Sequence, residues 1–360
     1  GGDEVARLDA ASAVGSAERG KTVLPRSRCV SAKRIRGKWE VTIQDESSGA
    51  QRTVFAKVLV NAAGPWVLDI VNQVTQTKSN RSVRLVKGSH IIVPKFWEGQ
   101  QAYLVQNTDK RVIFINPYEG DKALIGTTDI PWQGKAEAVT ADDSEQQYLI
   151  DVVNRYFKVK LRASDVITRF SGVRPLFDDG KGNPSAVTRD YVFDLDDQQN
   201  APLLHVFGGK ITTFRKLAEH AIQKLAPFFP NMGTDWTREA TLPGGDMANG
   251  DFESFLEQVK TRWPWLPAPL RKHYARLYGT RIEKVLGHAG ELSDLGRHFG
   301  AQLYEAEVRY LVENEWAQQA EDVLWRRTKH KLHLTEVQQQ AFTQWFDATF
   351  AAAVPLRKEA

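Results

Sequence analysis

The sequence predicts a mixed α/β (α+β) fold over its first two thirds and an all-helical domain over the remainder. Three observations lead there. β-rich segments recur over residues 22–60, 84–130 and 165–207. Helical patterns interrupt them at 140–160 and follow them at 212–225. At Thr241-Leu242-Pro243-Gly244-Gly245 the texture changes, and beyond it the apolar spacing is helical almost throughout.

Taken in order, Lys38-Trp39-Glu40-Val41-Thr42-Ile43 alternates apolar with polar residues, Ser47-Ser48-Gly49 turns the chain, and Thr53 to Val60 is β-rich. The apolar run Val58-Leu59-Val60 ends in Asn61-Ala62-Ala63-Gly64-Pro65-Trp66, and Trp66 to Val71 reads as helix. Strands are expected at Ser89–Val93, Ala102–Gln106, Arg111–Asn116 and Ala123–Thr127. Thr140, with acids behind it, opens a helix over 140–160. Strands return at 165–170, 187–194 and 203–207, ahead of a helix from Thr212 to Leu225. Tyr304, Val308 and Leu311 fall at i, i+4 and i+7 on one helical face. The expected domains are 1–240 and 241–360, divided within 236–250.

Composition narrows the function. The chain has 360 residues, 42% hydrophobic and 26% charged, enough for two cores. A net charge of +4 is too slight for a dedicated nucleic-acid binder and suits anionic small molecules or an anionic membrane surface. Cys29 is the one cysteine, so neither an internal disulfide nor a thiolate zinc site is available, and a reducing compartment is expected. With eight scattered histidines and no HExxH, no metal site is expected. No signal peptide is visible, and no apolar run reaches the ~18 residues of a membrane span.

Four segments carry chemistry. Leu59 to Trp66 is a buried strand ending in small residues, which admits a ligand to the backbone at a sheet's carboxyl edge; a plain strand-to-helix turn reads the same. Val206-Phe207-Gly208-Gly209-Lys210-Ile211-Thr212-Thr213 leads a strand through two glycines to a helix N-terminus, where bare amides attract anions. Thr212 or Thr213 could instead simply cap that helix. Arg174, in Ser171-Gly172-Val173-Arg174-Pro175-Leu176, and Arg189, in Thr188-Arg189-Asp190-Tyr191, offer planar forks for carboxylate or phosphate, or pair with surface acids. His90 follows Gly88-Ser89 in a strand and faces either substrate or a structural partner.

Together with Val86 to Val93 (VKGSHIIV), Gly126 to Asp129 (GTTD), Leu242 to Gly245 (LPGG), Ser293 to Gly296 (SDLG) and Leu324 to Thr328 (LWRRT), these segments resemble, in order and spacing, the bacterial respiratory FAD-dependent glycerol-3-phosphate dehydrogenases. The resemblance spans nearly the whole chain. It implies an FAD-binding Rossmann-like domain interleaved with an antiparallel substrate sheet, then a helical C-terminal cap. It implies oxidation of sn-glycerol 3-phosphate to dihydroxyacetone phosphate by hydride transfer to FAD, with electrons passed to ubiquinone or menaquinone. A homodimer, located in the cytoplasm and peripheral on the inner face of the membrane, is the corresponding expectation.

Carried onto this chain, the resemblance makes Arg174, Arg189 and Lys210 substrate-binding, and Arg174, Lys210 and His90 the catalytic candidates. The FAD falls to Gly208, Gly209, Lys210, Ile211, Thr212 and Thr213 on one side, to Ala62, Ala63 and Gly64 on the other, and to the backbone near Cys29 at the adenine. The family's opening GxGxxG turn does not occur in these residues, and the chain starts Gly1-Gly2 without Met. A missing N-terminal segment is therefore expected, and with it poor FAD retention and no turnover by this chain alone. Arg262, Arg271, Lys272, Arg276, Arg281 and Lys284 beside Trp263 and Trp265, with Arg326, Arg327, Lys329 and Lys331, suit either an interfacial membrane contact or an acid-paired solvated face. Two rival functions are an FAD oxidase of the same superfamily, using oxygen or an amino acid, and a nonenzymatic basic module for nucleic acid.

Overall fold

The computed structural model describes residues 2–178 and 190–350, and it divides into two units, Gly1–Pro25 with Glu239–Ala360, and Arg26–Arg238. The larger unit opens with an antiparallel meander, β1 (Ser27–Ile35), β2 (Lys38–Asp45) and β3 (Gln51–Ala56). The alternation read in β2 is the pleat itself: Trp39 and Val41 are buried on one face. Trp39 donates its indole N–H to the Pro202 carbonyl, satisfying the one polar atom of a fully buried ring.

β4 (Leu59–Asn61) pairs in parallel with β12 (Leu203–Gly208), and β12 pairs antiparallel with β11 (Tyr191–Asp196). Behind β4 the chain winds helically through Gly64–Trp66, α2 (Val67–Asp69) and a π-type turn at Ile70–Val74. α4 (Phe214–Leu225) follows β12. Thr213 stands at its N-cap but donates its hydroxyl to the Lys210 carbonyl instead of capping.

The third sheet has the strand order β10-β5-β8-β7-β6, with β9 (Ile130–Trp132) also on β5. Its members are β5 (Val83–Pro94), β6 (Tyr103–Gln106), β7 (Val112–Tyr118), β8 (Lys122–Gly126) and β10 (Thr168–Phe177). One face packs Ile91, Val93, Ile113, Ile115 and Ile125 against Leu149, Ile150 and Val153 of α3 (Asp143–Tyr156). That helix starts three residues beyond the expected Thr140. Asp142 and Glu145 form a reciprocal capping box, which satisfies the first amides better than Thr140 placed outside the turn.

The smaller unit gathers α5 (Phe252–Arg262), α6 (Ala268–Tyr278), α7 (Ile282–Leu286), α8 (Glu305–Glu315) and α9 (Glu336–Phe350) on one apolar core. Val308 and Leu311 are buried in it, as the spacing predicts. Two features depart from the sequence reading. A two-stranded ladder, β13 (His298–Gly300) with β14 (Leu303–Tyr304), interrupts the expected all-helical domain. The packing also differs at the start from the expected division into 1–240 and 241–360, because α1 (Gly2–Glu18) packs with this unit. Arg7 grips Glu315 through both oxygens, at 2.5 and 2.8 Å, and Arg281 and Lys284 both reach Glu18. Such long-range pairing leaves no periodic mark in sequence.

Candidate active site

Period-two alternation sorts the residues of the six-stranded sheet by face. Lys87, Ser89 and Ile91 point to the α3 side, so Gly88 and His90 point away from it. Opposite them in register stand Gly172 and Phe170 of β10, Gly126 of β8, and beyond it Phe114 and Leu104. Arg174 lies two residues beyond Gly172 and shares that face. Three of these positions are glycine, so this part of the face is a bare shelf around the Arg174 guanidinium and the His90 imidazole.

The glycines are there for space. A Cβ on Gly88 would come within 2.5 Å of Arg174 Nη2, and one on Gly126 within 2.1 Å of the His90 ring. Arg174 sits in a socket made by three consecutive residues. Its Nη1 pairs with Asp129 at 2.8 Å, and Nη2 donates to Thr127 Oγ1 at 3.1 Å and to the Thr128 carbonyl at 3.4 Å. The side chain keeps 37% of its surface exposed, so the fork is held and still reachable.

His90 stacks on Phe170 with ring centroids 5.2 Å apart, and its Nδ1 is buried with no hydrogen-bond partner. Burial first, and the Arg174 charge second, push its pKa down to about 4. At neutral pH it is an uncharged ring with a nitrogen available to accept a proton.

The two glycine-bearing turns lie at one sheet edge. β4 and β12 run parallel with Asn61 opposite His205, so Ala62–Gly64 and Gly208–Thr213 leave from the same carboxyl ends. Asn61 braces the first turn: its amide donates to the Val67 carbonyl at 3.0 Å, lies 2.9 Å from His205 Nδ1, and its oxygen accepts from Ala63 N–H. Gly208 and Gly209 adopt φ of +74° and +104°, which a side chain would oppose. A Cβ on Gly208 would meet the Asp190 carbonyl at 2.9 Å and Phe177 N at 3.3 Å. Thus the end of β10, three residues beyond Arg174, abuts the second turn. Val67, Phe177 and Phe207 form the apolar joint that fastens both turns to the shelf. Lys210 and Ile211 are exposed beyond it.

The structure therefore brings Ala62, Ala63 and Gly64 to the same sheet end as the Gly208–Thr213 turn, and sets His90 and Arg174 on one face of the adjoining sheet. Arg189 lies outside the described residues. Cys29, whose backbone is the expected neighbour of the adenine, lies in β1. It sits at a bulge in β1, its thiol 3.9 Å from the Ser31 carbonyl, and packs in the cluster containing Leu59 and Leu203, the amino-terminal residues of β4 and β12. The two turns leave from the other ends of those strands. Burial raises its thiol pKa. Thr127, Thr128 and Asp129 carry no role in the sequence reading; an acid three residues after a shelf glycine is the available signal.

The basic residues of the smaller unit are largely engaged. Arg262 pairs with Glu283, Arg326 with Asp322, Lys331 with Glu321, and Arg327 donates to the Glu315 carbonyl. Trp263 and Trp265 pack against the helical core. This favours an acid-paired solvated face. No helix among the described residues is long and apolar enough to cross a membrane. No metal site is expected from the residues alone, yet the fold gathers His273, Glu307 and His330, with ligand-capable atoms within 4.8 Å of one another. Direct hydrogen bonds from both imidazoles to Glu307 already occupy those atoms.

Comparison with known proteins agrees with this geometry. Residues 4–215 match the family model of FAD dependent oxidoreductases, and residues 236–349 that of the C-terminal domain of alpha-glycerophosphate oxidase. The chain is 62% identical to D-erythritol 1-phosphate dehydrogenase of Brucella abortus over 95% of its own length and 68% of that protein. It is 46% identical to the aerobic glycerol-3-phosphate dehydrogenase of Escherichia coli, over 94% and 68% respectively. Its structure superposes on the FAD complex of glycerol-3-phosphate dehydrogenase from Bacillus halodurans with a TM-score of 0.78 at 25% identity, covering 99% of this chain and 74% of that one. The left-handed glycines and the two turns at one carboxyl edge are a fitting wall for a flavin, where backbone must approach the ligand without side chains. The chain belongs to the FAD-dependent oxidoreductases, in the group that joins this domain to the helical domain of alpha-glycerophosphate oxidase and includes the bacterial glycerol-3-phosphate dehydrogenases.

Proposed function

We propose that the FAD-loaded holoenzyme oxidises the secondary hydroxyl of a polyol phosphate, with FAD as hydride acceptor and a membrane quinone as the next electron acceptor. The observation that carries this is Arg174 held in its socket on the same face as a neutral His90, on a shelf that abuts the Gly208–Thr213 turn. FAD, when bound, supplies the two-electron sink. Arg174, with Arg189, binds the phosphate dianion through charge-assisted bonds. Lys210 contributes charge at the turn. His90 takes the hydroxyl proton as the carbonyl forms. The amides of Gly209–Thr213 and the small residues Ala62–Gly64 line the flavin on either side. Glycerol 3-phosphate is the substrate implied by the motif set. A second reading, D-erythritol 1-phosphate, is favoured by the 62% identity against 46%. The test measures flavin reduction and kcat/KM for both substrates in the FAD-loaded protein, with a quinone analogue and with oxygen. Bleaching by neither substrate refutes the proposal, and faster turnover with oxygen refutes its quinone step.

A further inference from the structure

We propose that Glu145 is a positioning residue for anion binding: acting through Thr128, it fixes residues 127–129, the socket that aims the Arg174 guanidinium. The inference rests on the reading of Arg174 as the phosphate ligand.

Glu145 is the third residue of α3, where a capping-box acid ordinarily reaches back to its own N-cap and stays at the surface. Here it does more. Its Oε2 accepts from Asp142 N–H at 3.2 Å and from Lys87 Nζ at 2.6 Å. Its Oε1 accepts from Ser89 Oγ at 2.7 Å and from Thr128 Oγ1 at 2.9 Å. Thr128 Oγ1 in turn accepts from Ser89 N–H at 2.8 Å. Lys87, Ser89, Thr128 and Glu145 are all buried. Helix capping needs one of these bonds; the others run from the helix into β5 and the segment after β8.

The far side of the same backbone is the shelf. Gly88, between Lys87 and Ser89, is the floor under Arg174, with no room for even a methyl group. Arg174 touches Thr127, Thr128 and Asp129, and the middle one is tied to Glu145. A shift of Thr128 therefore moves two acceptors of the guanidinium together, and Gly88 leaves it nowhere to follow. Burial pushes the Glu145 pKa up, but Lys87, Ser89, the Asp142 amide and Thr128 outweigh that and keep it ionised.

Charge gives the inference a sharp test. On electrostatics alone, removing a carboxylate near an anion site tightens anion binding. Loss of affinity on neutralising Glu145 is thus the signature of positioning. The experiment uses the holoenzyme, with inorganic phosphate as probe in calorimetry and glycerol 3-phosphate and D-erythritol 1-phosphate in steady-state kinetics. Glu145→Gln is expected to raise the phosphate Kd and the KM about tenfold while kcat changes less than about twofold. Thr128→Val, which leaves the Lys87–Glu145 pair intact, is expected to do the same, and the double variant to add nothing further. Should Glu145→Gln fail to fold, Thr128→Val carries the test. Unchanged or tighter phosphate binding in the folded variants, or additive effects in the double, overturns the inference provided that Arg174→Ala weakens phosphate binding. If Arg174→Ala leaves phosphate binding unchanged, the reading of Arg174 as phosphate ligand falls first and the inference falls with it.

Discussion

Glu307 offers the most demanding test of how the helical unit is held together. Its side chain is wholly buried on α8, at 0% exposure. Oε1 accepts from His273 Nε2 at 2.8 Å and from Tyr278 OH at 2.6 Å, and Oε2 accepts from His330 Nε2 at 2.9 Å. One carboxylate thus joins α6, α8 and the turn at His330–Leu332. Burial pushes its pKa up, but the two imidazoles outweigh that and hold the carboxyl well below the usual range. Glu307→Ala strands three donors, two of them on buried or half-buried imidazoles. Each unpaired donor costs about 1–3 kcal/mol, and water can reach the half-buried His273, so the expected destabilisation is about 3–5 kcal/mol. Glu307→Gln keeps the shape and one acceptor, and one imidazole can change tautomer to meet the amide, so about 1–2 kcal/mol is expected. Urea unfolding followed by far-UV circular dichroism reads both. The sign with pH follows from the depressed carboxyl: its contribution is fully present above the ordinary glutamate pKa and is lost as pH falls below it, so Glu307→Ala should approach the parent in acid. A variant within about 1 kcal/mol of the parent at pH 7 refutes the reasoning.

Three predictions concern the shelf. Gly88→Ala places a Cβ 2.5 Å from Arg174 Nη2 and 2.5 Å from Thr127 Oγ1, both in the phosphate socket. KM for the polyol phosphate should rise about tenfold or more with FAD content unchanged, and a parental KM in the FAD-loaded variant argues against the socket. Arg174→Lys retains charge but not the fork, so it should weaken substrate binding about 10–100-fold in KM, against little change if the residue is only a surface ion pair. His90 should titrate near pH 4 by NMR, and bound phosphate, by neutralising Arg174, should raise that value. A depressed histidine pKa contributes stability that is present above its unfolded value and is lost as pH falls through the folded one. A titration near 6.5 that ignores phosphate contradicts the described environment.

Part of this site could be read from residues alone. The runs Leu59–Trp66 and Val206–Lys216 announce a strand, a small-residue turn and a helix, because glycine in a left-handed turn has few substitutes. Their convergence could not be read, since a parallel pair 144 residues apart, Asn61 with His205, is fixed by the fold. Arg174 was visible as a candidate, but its exposed surroundings and a surface pair looked alike in sequence. The socket distinguishes them, and it arises because β8 returns beside β5 and carries Thr127–Asp129 beneath β10.

By itself the sequence determined local conformation and chemistry: alternation for β2, apolar spacing for α8, glycines where backbone turns left-handed, one guanidinium fork and one strand histidine. These depend on neighbours within a few residues, and such interactions write themselves into short-range pattern. The tertiary structure alone decided that α1 joins the helical unit through Arg7 and Glu315, that Glu307 collects two histidines and a tyrosine, and that Glu145 reaches under the sheet to Thr128. Each is a buried charge whose partners lie far along the chain. Burial makes such charges costly unless they are paired, so packing selects the partners, and no spacing in the sequence records which they are.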